Sequence, residues 1–283
     1  MNRLSSSESV IHKQFVEYGR NAREWTRKCS LLLPDIAGRR IWKKRGFGSI
    51  YEYAAKLAGM SRHSVDSALW VLRKVEDLPE LKRVVEEKGV SRVRPIANLA
   101  TAEDQGLWAE KARTMSKPAL EAFAHEFRKS NREDFCPRAK IELREDLVDR
   151  LRKLENLEEK LEKFLDFEEA RMREEKPDSL ETKSRHIPVA IKSFVVKKSG
   201  GCCAFPGCKR PYEILHHTQR WALEKVHDPD RLVPLCKAHE QLVHLGLIEN
   251  EQSAPEKWRV RMRPDRNAPE FWVDEHVALF RGG

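Results

Sequence analysis

The first part of the chain, residues 1–128, carries apolar residues at helical spacing. Val65, Leu69 and Leu72 are typical of it, because positions three or four apart share one face of a helix. Pro34 interrupts the pattern and predicts the end of one helix, since proline lacks the N–H group that a helix interior needs. The pattern therefore predicts a helical N-terminal domain over 1–128.

A helix-turn-helix is predicted near the middle of this domain. A helical pattern over Ser49–Leu57 is followed by Gly59, which suits a tight turn, and by Ser61, which suits the N-cap of a second helix. A second helix in this arrangement can enter the major groove of DNA. Residues at its start and outer face would contact bases or phosphates: Arg62, His63, Ser64 and Ser67. Similar turns join helices in proteins that do not bind DNA, so a purely structural role is the alternative.

The next part, residues 129–184, is the most charged stretch of the chain. A short strand is predicted at 140–143, and a heptad-like leucine stripe then predicts one helix of about thirty residues ending before Pro177. The stripe consists of Leu147, Leu151, Leu154, Leu161 and Leu165. Such a helix is either a spacer, an amphipathic helix packed on a neighbour, or a short coiled coil that would form a homodimer through residues 145–168.

The charge of the chain and its lack of long apolar segments indicate the kind of partner and the compartment. The 283 residues carry a formal net charge of +9 with 35% charged residues, which favours a polyanionic partner such as nucleic acid. The N-terminus lacks a secretory apolar segment, and no apolar run approaches the ~20 residues needed to cross a bilayer. We therefore expect a cytoplasmic protein that does not contact membranes.

Two short motifs in the C-terminal third predict a metal site. Cys203 and Cys208 bracket the turn sequence Ala-Phe-Pro-Gly, so both thiols point the same way. Cys236 and His239 are three positions apart and would share a helix face. Four ligands of this kind predict a tetrahedral structural zinc ion. Cys202 is the alternative to Cys203 as a ligand.

A histidine pair lies between these two motifs. His216 and His217 end a short alternating segment, and adjacent strand residues point to opposite faces, so the two side chains have different tasks. One would bind a metal ion while the other takes a proton from water. Glu240 and His244 lie four positions apart on the helix that follows. Together with His216 they would form a second metal site with open positions.

The segment 187–246 resembles the bacterial HNH endonucleases with a ββα-metal fold, in the subgroup that carries an additional structural zinc. The resemblance rests on Arg-His-Ile-Pro from Arg185, Cys-Ala-Phe-Pro-Gly-Cys from Cys203, the histidine pair followed by Trp221, and Leu-Val-Pro-Leu-Cys leading to a final Val-His. Residues 78–100 look like the helix-turn-helix region of chromosome-partition DNA-binding proteins. The expected architecture is mainly α with a small α+β nuclease domain over 185–283.

This resemblance implies hydrolysis of phosphodiester bonds in DNA, less often in RNA. His217 would be the general base, and His216 would hold a catalytic Mg²⁺ or Mn²⁺ with the groups at 240 and 244. A carboxylate at Glu240, where the family more often has histidine, favours these hard ions. Arg231 stands where the family has the asparagine that braces the loop of the catalytic histidine, and His227 would partly replace that brace.

Basic residues near the predicted site are candidates for phosphate contact. Arg220 and Lys225 follow the histidine pair, and Arg259 and Arg261 lie in an alternating segment, 258–263, that predicts a strand. A solvated strand face is the alternative for the last two. For the whole chain, the alternatives to a nuclease are a catalytically inactive DNA-binding protein that keeps the zinc-stabilised fold, and a structural zinc protein that binds another protein.

Overall fold

The computed structural model describes residues 5–130 and 143–281. Their secondary structure is mainly helical with small antiparallel sheets in the C-terminal region, which confirms the coarse fold class. The chain forms two compact units, Met1–Ala124 and His125–Gly283. None of the helices in the described part is long and apolar enough to span a bilayer. Apart from its last position, the strand predicted at 140–143 lies outside the described residues.

Among its described residues, the N-terminal unit contains helices and no strand. The helices are α1 (Ser6–Gly38), α2 (Ile41–Lys44), α3 (Ile50–Ala58), α4 (Arg62–Lys74), α5 (Pro79–Lys88), α6 (Val90–Val93), α7 (Gln105–Thr114) and the part of α8 (Lys117–Ser130) up to Ala124. Leu81, Trp108 and Phe123 are fully buried, and the two aromatic rings meet edge to face with centroids 5.6 Å apart. Most of these helices are too short to be stable alone, so the shared apolar core holds them in place.

The elements of the helix-turn-helix are present as predicted. Helix α3 ends at Gly59, whose φ of 62° lies in the left-handed region that glycine adopts at little cost. Ser61 caps α4, and its side chain accepts a hydrogen bond from the backbone N–H of Ser64. Arg62 and His63 are exposed at the start of α4. The sequence signals for turn and cap therefore gave the correct local structure.

Helix α1 corrects the prediction made for Pro34. The helix runs through this residue to Gly38, and it begins with a capping box between Ser5 and Glu8. A proline so close to the helix end removes one hydrogen bond, while the burial of Leu33 beside it holds the last turns on the core. Between Ser5 and Cys29 no residue of α1 is buried, so most of this helix extends beyond the core of its unit.

In the C-terminal unit, the prediction of one helix of about thirty residues ending before Pro177 is wrong, and this includes the segment 145–168 named for a homodimer. Two helices occupy this region, α9 (Glu145–Arg152) and α10 (Leu157–Glu174). They are separated at Asn156, which has a φ of 54°, and asparagine tolerates this left-handed conformation better than most residues. The leucine stripe is therefore interrupted, and one continuous coiled-coil seam does not form.

The rest of the C-terminal unit includes a small strand–strand–helix motif. In chain order the elements of this part are β1 (Leu180–Glu181), α11 (Val189–Lys198), β2 (Ile214–His217), α12 (Trp221–Glu224), β3 (Val226–His227), β4 (Leu232–Leu235), α13 (Lys237–His244), β5 (Ile248–Glu249), a 3-10 turn (Pro255–Lys257), β6 (Arg259–Val260) and α14 (Pro269–Arg281). The motif is made of β2, β4 and α13. Strands β2 and β4 pair antiparallel, with His216 opposite Val233 and His217 opposite Leu232. Helix α13 follows β4 directly. Strand β6 is shorter than the strand expected over 258–263.

Candidate metal centre and histidine site

Three cysteines and one histidine form a compact cluster. Their ligand atoms all lie within 4.8 Å of one another: the Sγ atoms of Cys203, Cys208 and Cys236, and a ring nitrogen of His239. The Nδ1 atom of His239 is 3.3 Å from the Cys203 Sγ and 3.5 Å from the Cys236 Sγ. Such separations match the edges of a tetrahedron around a zinc ion. The cluster can hold a metal ion and is compatible with structural zinc, and it uses Cys203 rather than Cys202, as expected.

The surroundings of the cluster favour the metal-binding form of its histidine. The ring of Phe205 stacks on His239 with centroids 4.1 Å apart. Burial, followed by the positive charge of Arg210, lowers the pKa of His239 to about 4, so its imidazole is neutral at pH 7. Burial also raises the pKa values of the Cys203 and Cys208 thiols. A bound cation would reverse this shift by stabilising the thiolates.

His217 is the first member of a hydrogen-bonded histidine chain. Its Nε2 atom lies 2.9 Å from Nδ1 of His227, and Nε2 of His227 lies 3.0 Å from the carbonyl oxygen of Ser184. A carbonyl oxygen only accepts, so His227 must donate from Nε2 and accept at Nδ1 in its neutral form. His217 then carries its proton on Nε2. Its Nδ1 atom is left with a free lone pair.

The surroundings of His217 keep its ring neutral. Burial, followed by the charges of His227 and His216, lowers its pKa to about 4. The ring is therefore neutral at pH 7 and able to accept a proton. His227 itself is fully buried, so the ring that orients His217 is held rigidly.

Arg231 acts on the loop that follows the histidine pair. Its side chain binds Gln219 and lies 2.7 Å from Glu224 Oε2 and 3.5 Å from Asp228 Oδ2. Its backbone oxygen accepts a hydrogen bond of 2.9 Å from the N–H of Thr218. These contacts tie the two ends of the loop together. The side chain that hydrogen-bonds to the His217 ring is that of His227.

His216 points to the opposite side of β2, as strand alternation predicts, and is buried there. Its Nε2 atom lies 2.8 Å from Glu251 Oε1 and 3.0 Å from Arg220 Nη1. Arg220 also binds Asp274, with Nε and Nη2 at 2.9 and 2.7 Å from Oδ2. His244 joins the same group, because its Nδ1 is 2.8 Å from Asp274 Oδ1. We call these five side chains the arginine network.

Charges within the arginine network stabilise one another. Burial opposes the charge on Arg220, but its two carboxylate partners outweigh this and raise its pKa. The pKa values of Glu251 and Asp274 are lowered in spite of burial, because His216, Arg220 and His244 bind them. Burial also opposes the charge on His244, yet Asp274 and Glu240 raise the pKa of His244 to about 9. His216 has a lowered pKa, mainly through burial.

The network corrects two predictions. Arg220 was expected to contact phosphate, but its side chain is 6% exposed and already binds two carboxylates. His216, Glu240 and His244 were expected to converge on a catalytic metal, yet within the described residues only the cysteine cluster brings three or more ligand atoms together. The guanidinium beside His216 would repel a divalent ion, so this site does not fit Mg²⁺ or Mn²⁺. Glu240 instead lies 3.4 Å from the Nε2 atom of His244.

The other predicted phosphate contacts are distributed over the surface of this unit. Lys225 lies over the ring of Trp221, with its Nζ 4.1 Å from the ring centroid. Arg259 is exposed and donates a hydrogen bond of 2.8 Å to the carbonyl oxygen of Trp258. Arg261 is half-buried and donates to the carbonyl oxygen of Ile248 at 2.8 Å, so it helps to hold β5 and β6 together. Lys225 and Arg259 keep charged groups at the surface.

The predicted DNA-binding residues of α4 lie close together within the N-terminal unit. The guanidinium of Arg62 is 4.6 Å from the ring centroid of Tyr51 and 4.0 Å from Asp66. His63 Nε2 is 3.1 Å from Nη1 of Arg94. Ser64 is exposed and Ser67 is half-buried. The exposed start of α4 therefore presents basic and hydroxyl side chains to solvent.

Comparison of the chain with protein-family models, curated proteins and solved structures finds no match. The geometry of the histidine chain and of the cysteine cluster therefore carries the functional interpretation.

Proposed function

We propose that the C-terminal unit is an HNH-type endonuclease that hydrolyses phosphodiester bonds in DNA. The observation that carries this proposal is the chain from His217 through His227 to the Ser184 carbonyl oxygen. A neutral imidazole with a fixed orientation and an unshared lone pair meets the geometric requirement for a general base, and bound DNA phosphate would raise its pKa from about 4 towards the working pH. The strand–strand–helix arrangement of β2, β4 and α13 beside a cysteine cluster supports the same function, because the resemblance implies this order of elements.

In the proposed reaction, His217 takes a proton from water at Nδ1. The resulting hydroxide attacks the phosphorus atom, the bond to the departing oxygen breaks, and that oxygen takes a proton from solvent water. His217 then returns its proton to solvent. His227 keeps the ring orientation by accepting the Nε2 proton of His217, and the carbonyl of Ser184 fixes the tautomer of His227. A positioned base of this kind contributes typically about 10²- to 10⁴-fold to rate. Zinc at the cysteine cluster would tie the turn between Cys203 and Cys208 to the start of α13 and would take no part in the reaction.

The experiment is cleavage of supercoiled plasmid by the purified full-length protein. His217→Ala is expected to abolish nicking and leave DNA affinity unchanged. His276→Ala is the matched control, because this exposed histidine hydrogen-bonds only to the carbonyl of Trp272 on its own helix among the described contacts. Equal cleavage by His217→Ala and the wild type would contradict the assignment of the base.

The second candidate function is a non-catalytic DNA-binding protein. The arginine network favours it, because Arg220 stands where an HNH nuclease would hold its metal ion. This candidate predicts a folded, zinc-loaded protein that binds DNA in a salt-dependent manner and cleaves none. Arg62→Ala should then weaken binding, while His217→Ala should have no effect on any measured property of the DNA complex.

A further inference from the structure

We infer that Arg220 takes the cation position in the pocket around His216, so that this pocket binds no divalent metal ion. The guanidinium bonds both carboxylates of the pocket, Glu251 through Nη1 and Asp274 through Nε and Nη2. Its Nη1 is also 3.0 Å from Nε2 of His216. The atoms that would bind a metal are therefore the atoms that bind the guanidinium.

The residue types around Arg220 are ones that metals favour, although their ligand atoms are spread around the guanidinium and are not gathered as closely as those of the cysteine cluster. Two imidazoles, His216 and His244, and two carboxylates, Glu251 and Asp274, surround Arg220, and such mixed nitrogen and oxygen sets bind Mn²⁺, Fe²⁺ and Zn²⁺. The imidazole rings of His216 and His244 lie with centroids 5.2 Å apart. If the guanidinium were absent, Glu251 would lose its cationic partner and Asp274 would keep only His244. Arg220 is thus the residue that decides whether the pocket accepts a metal ion.

Charge balance leads to the same conclusion. Arg220 and protonated His244 supply two positive charges against Glu251 and Asp274, and Glu240 lies 3.4 Å from the other side of His244. A divalent ion added to this buried group would leave at least one uncompensated positive charge, which a buried site disfavours strongly. The planar fork of Arg220 bonds Asp274 through two nitrogens, a geometry that lysine cannot reproduce.

The test is Mn²⁺ binding to the full-length, zinc-loaded protein, measured by equilibrium dialysis. We expect the wild type to bind no Mn²⁺ at this pocket at millimolar concentration and Arg220→Met to bind one ion per chain. Arg231→Met, which removes an exposed arginine of the same unit, should behave as the wild type. Adding Glu251→Gln to Arg220→Met should abolish the new site.

Two results would overturn the inference. One is Mn²⁺ binding by the wild type that His216→Ala removes, since the pocket would then accept a metal beside Arg220. The other is a folded Arg220→Met protein, with its zinc retained, that binds no Mn²⁺. If Arg220→Met does not fold, the comparison of the wild type with His216→Ala decides alone. Binding is the readout, so the result is independent of whether the protein cleaves DNA.

The exposed part of α1 carries a second, independent proposal. Five residues follow one another at spacings of four, three, four and three: Ile11, Phe15, Tyr18, Ala22 and Trp25. This is the repeat that brings two helices into a coiled coil. Four of the five are large apolar side chains, between 63% and 78% exposed. A helix that buries no residue over its first six turns or so gains little from its own propensity and needs a partner.

We propose that this α1 stripe pairs with the same stripe of a second copy of the chain. A two-fold axis lets identical stripes face each other, so each apolar position meets an equivalent one. Covering the exposed parts of Phe15, Tyr18 and Trp25 removes roughly 400 Å² per chain, given about 200 Å² for each aromatic side chain. Ile11 adds to this, and so does Leu32, which lies seven positions after Trp25 in the same repeat and is 56% exposed. The total for two chains then approaches about 1,200 Å², the lower limit of a stable specific interface.

Sedimentation of the full-length protein tests this pairing. We expect a dimer at micromolar concentration, and a monomer for the double variant Phe15→Glu with Trp25→Glu. Leu57→Glu is the matched control, because Leu57 is a comparably exposed apolar residue, at 62%, that lies on α3 outside the stripe. A monomeric wild type, or a dimer that survives the double substitution, would overturn the proposal.

Discussion

Replacing Arg220 with methionine is expected to destabilise the C-terminal unit by about 3–5 kcal/mol, because a buried ion pair that loses one member leaves an uncompensated charge. The structure sets this magnitude. The side chains of Arg220, Asp274 and Glu251 are 6%, 7% and 12% exposed, so solvent screens them little. Arg231→Met should change the free energy of unfolding by less than about 1 kcal/mol, since Arg231 is 47% exposed.

Hydrogen exchange in the full-length protein measures the stability of this unit separately from that of the N-terminal unit. For Arg220→Met, the amides of β2, β4 and α13 should exchange about 100-fold faster or more, because 1.4 kcal/mol corresponds to a factor of ten. Amides of α4 and α5 should keep their rates in both variants. Similar exchange of the β2 amides in Arg220→Met and Arg231→Met would refute the role assigned to the buried pairs.

Three further predictions concern other parts of the molecule. Cys208→Ser should abolish zinc binding and unfold the C-terminal unit, because structural zinc contributes on the order of 10 kcal/mol to the free energy of folding. Cys202→Ser, the control, should keep its zinc, and metal content and circular dichroism distinguish the two variants. The pKa of His244 is about 9 in the folded protein against 6.5 when unperturbed, so protonated His244 stabilises the fold fully below pH 6.5 and no longer does so above pH 9. The Tm difference between the wild type and His244→Gln should therefore shrink as the pH rises through this range. Arg62→Ala should lower DNA affinity for all sequences and reduce the slope against log salt by about 1, and an unchanged slope would exclude Arg62 from phosphate contact.

Features that depend on local chemistry could be predicted from the sequence. Gly59 and Ser61 mark a turn and a cap whatever surrounds them, and both elements are present. Cys203 and Cys236 belong to short motifs in which spacing alone directs the side chains to one point, and the cluster is present as well. The opposite directions of His216 and His217 follow from strand geometry in the same way.

The arginine network could not be predicted because its members come from distant segments. Arg220 lies 31 positions before Glu251 and 54 before Asp274, and no spacing rule connects residues so far apart. Asp274 lies on a helix whose docking depends on the whole unit. A basic residue three positions after the histidine pair is the only signal, and by itself it favours a phosphate contact.

The break between α9 and α10 was missed for a different reason. Leucine periodicity continues through residues 145–168, and periodicity cannot detect one residue in a left-handed conformation. Asn156 is the signal that could have been used, because asparagine often ends helices.

The long separation between Arg220 and Asp274 also bears on how the C-terminal unit folds. Strands β2 and β4 pair across a short loop, whereas α14 must close a loop of 54 positions to reach Arg220. An intermediate with β2, β4 and α13 formed but α14 undocked would leave Arg220 and His244 without Asp274, the carboxylate that they share. Such a state is high in energy. Strand pairing and helix docking should therefore occur in a single cooperative transition, with partly folded forms scarcely populated.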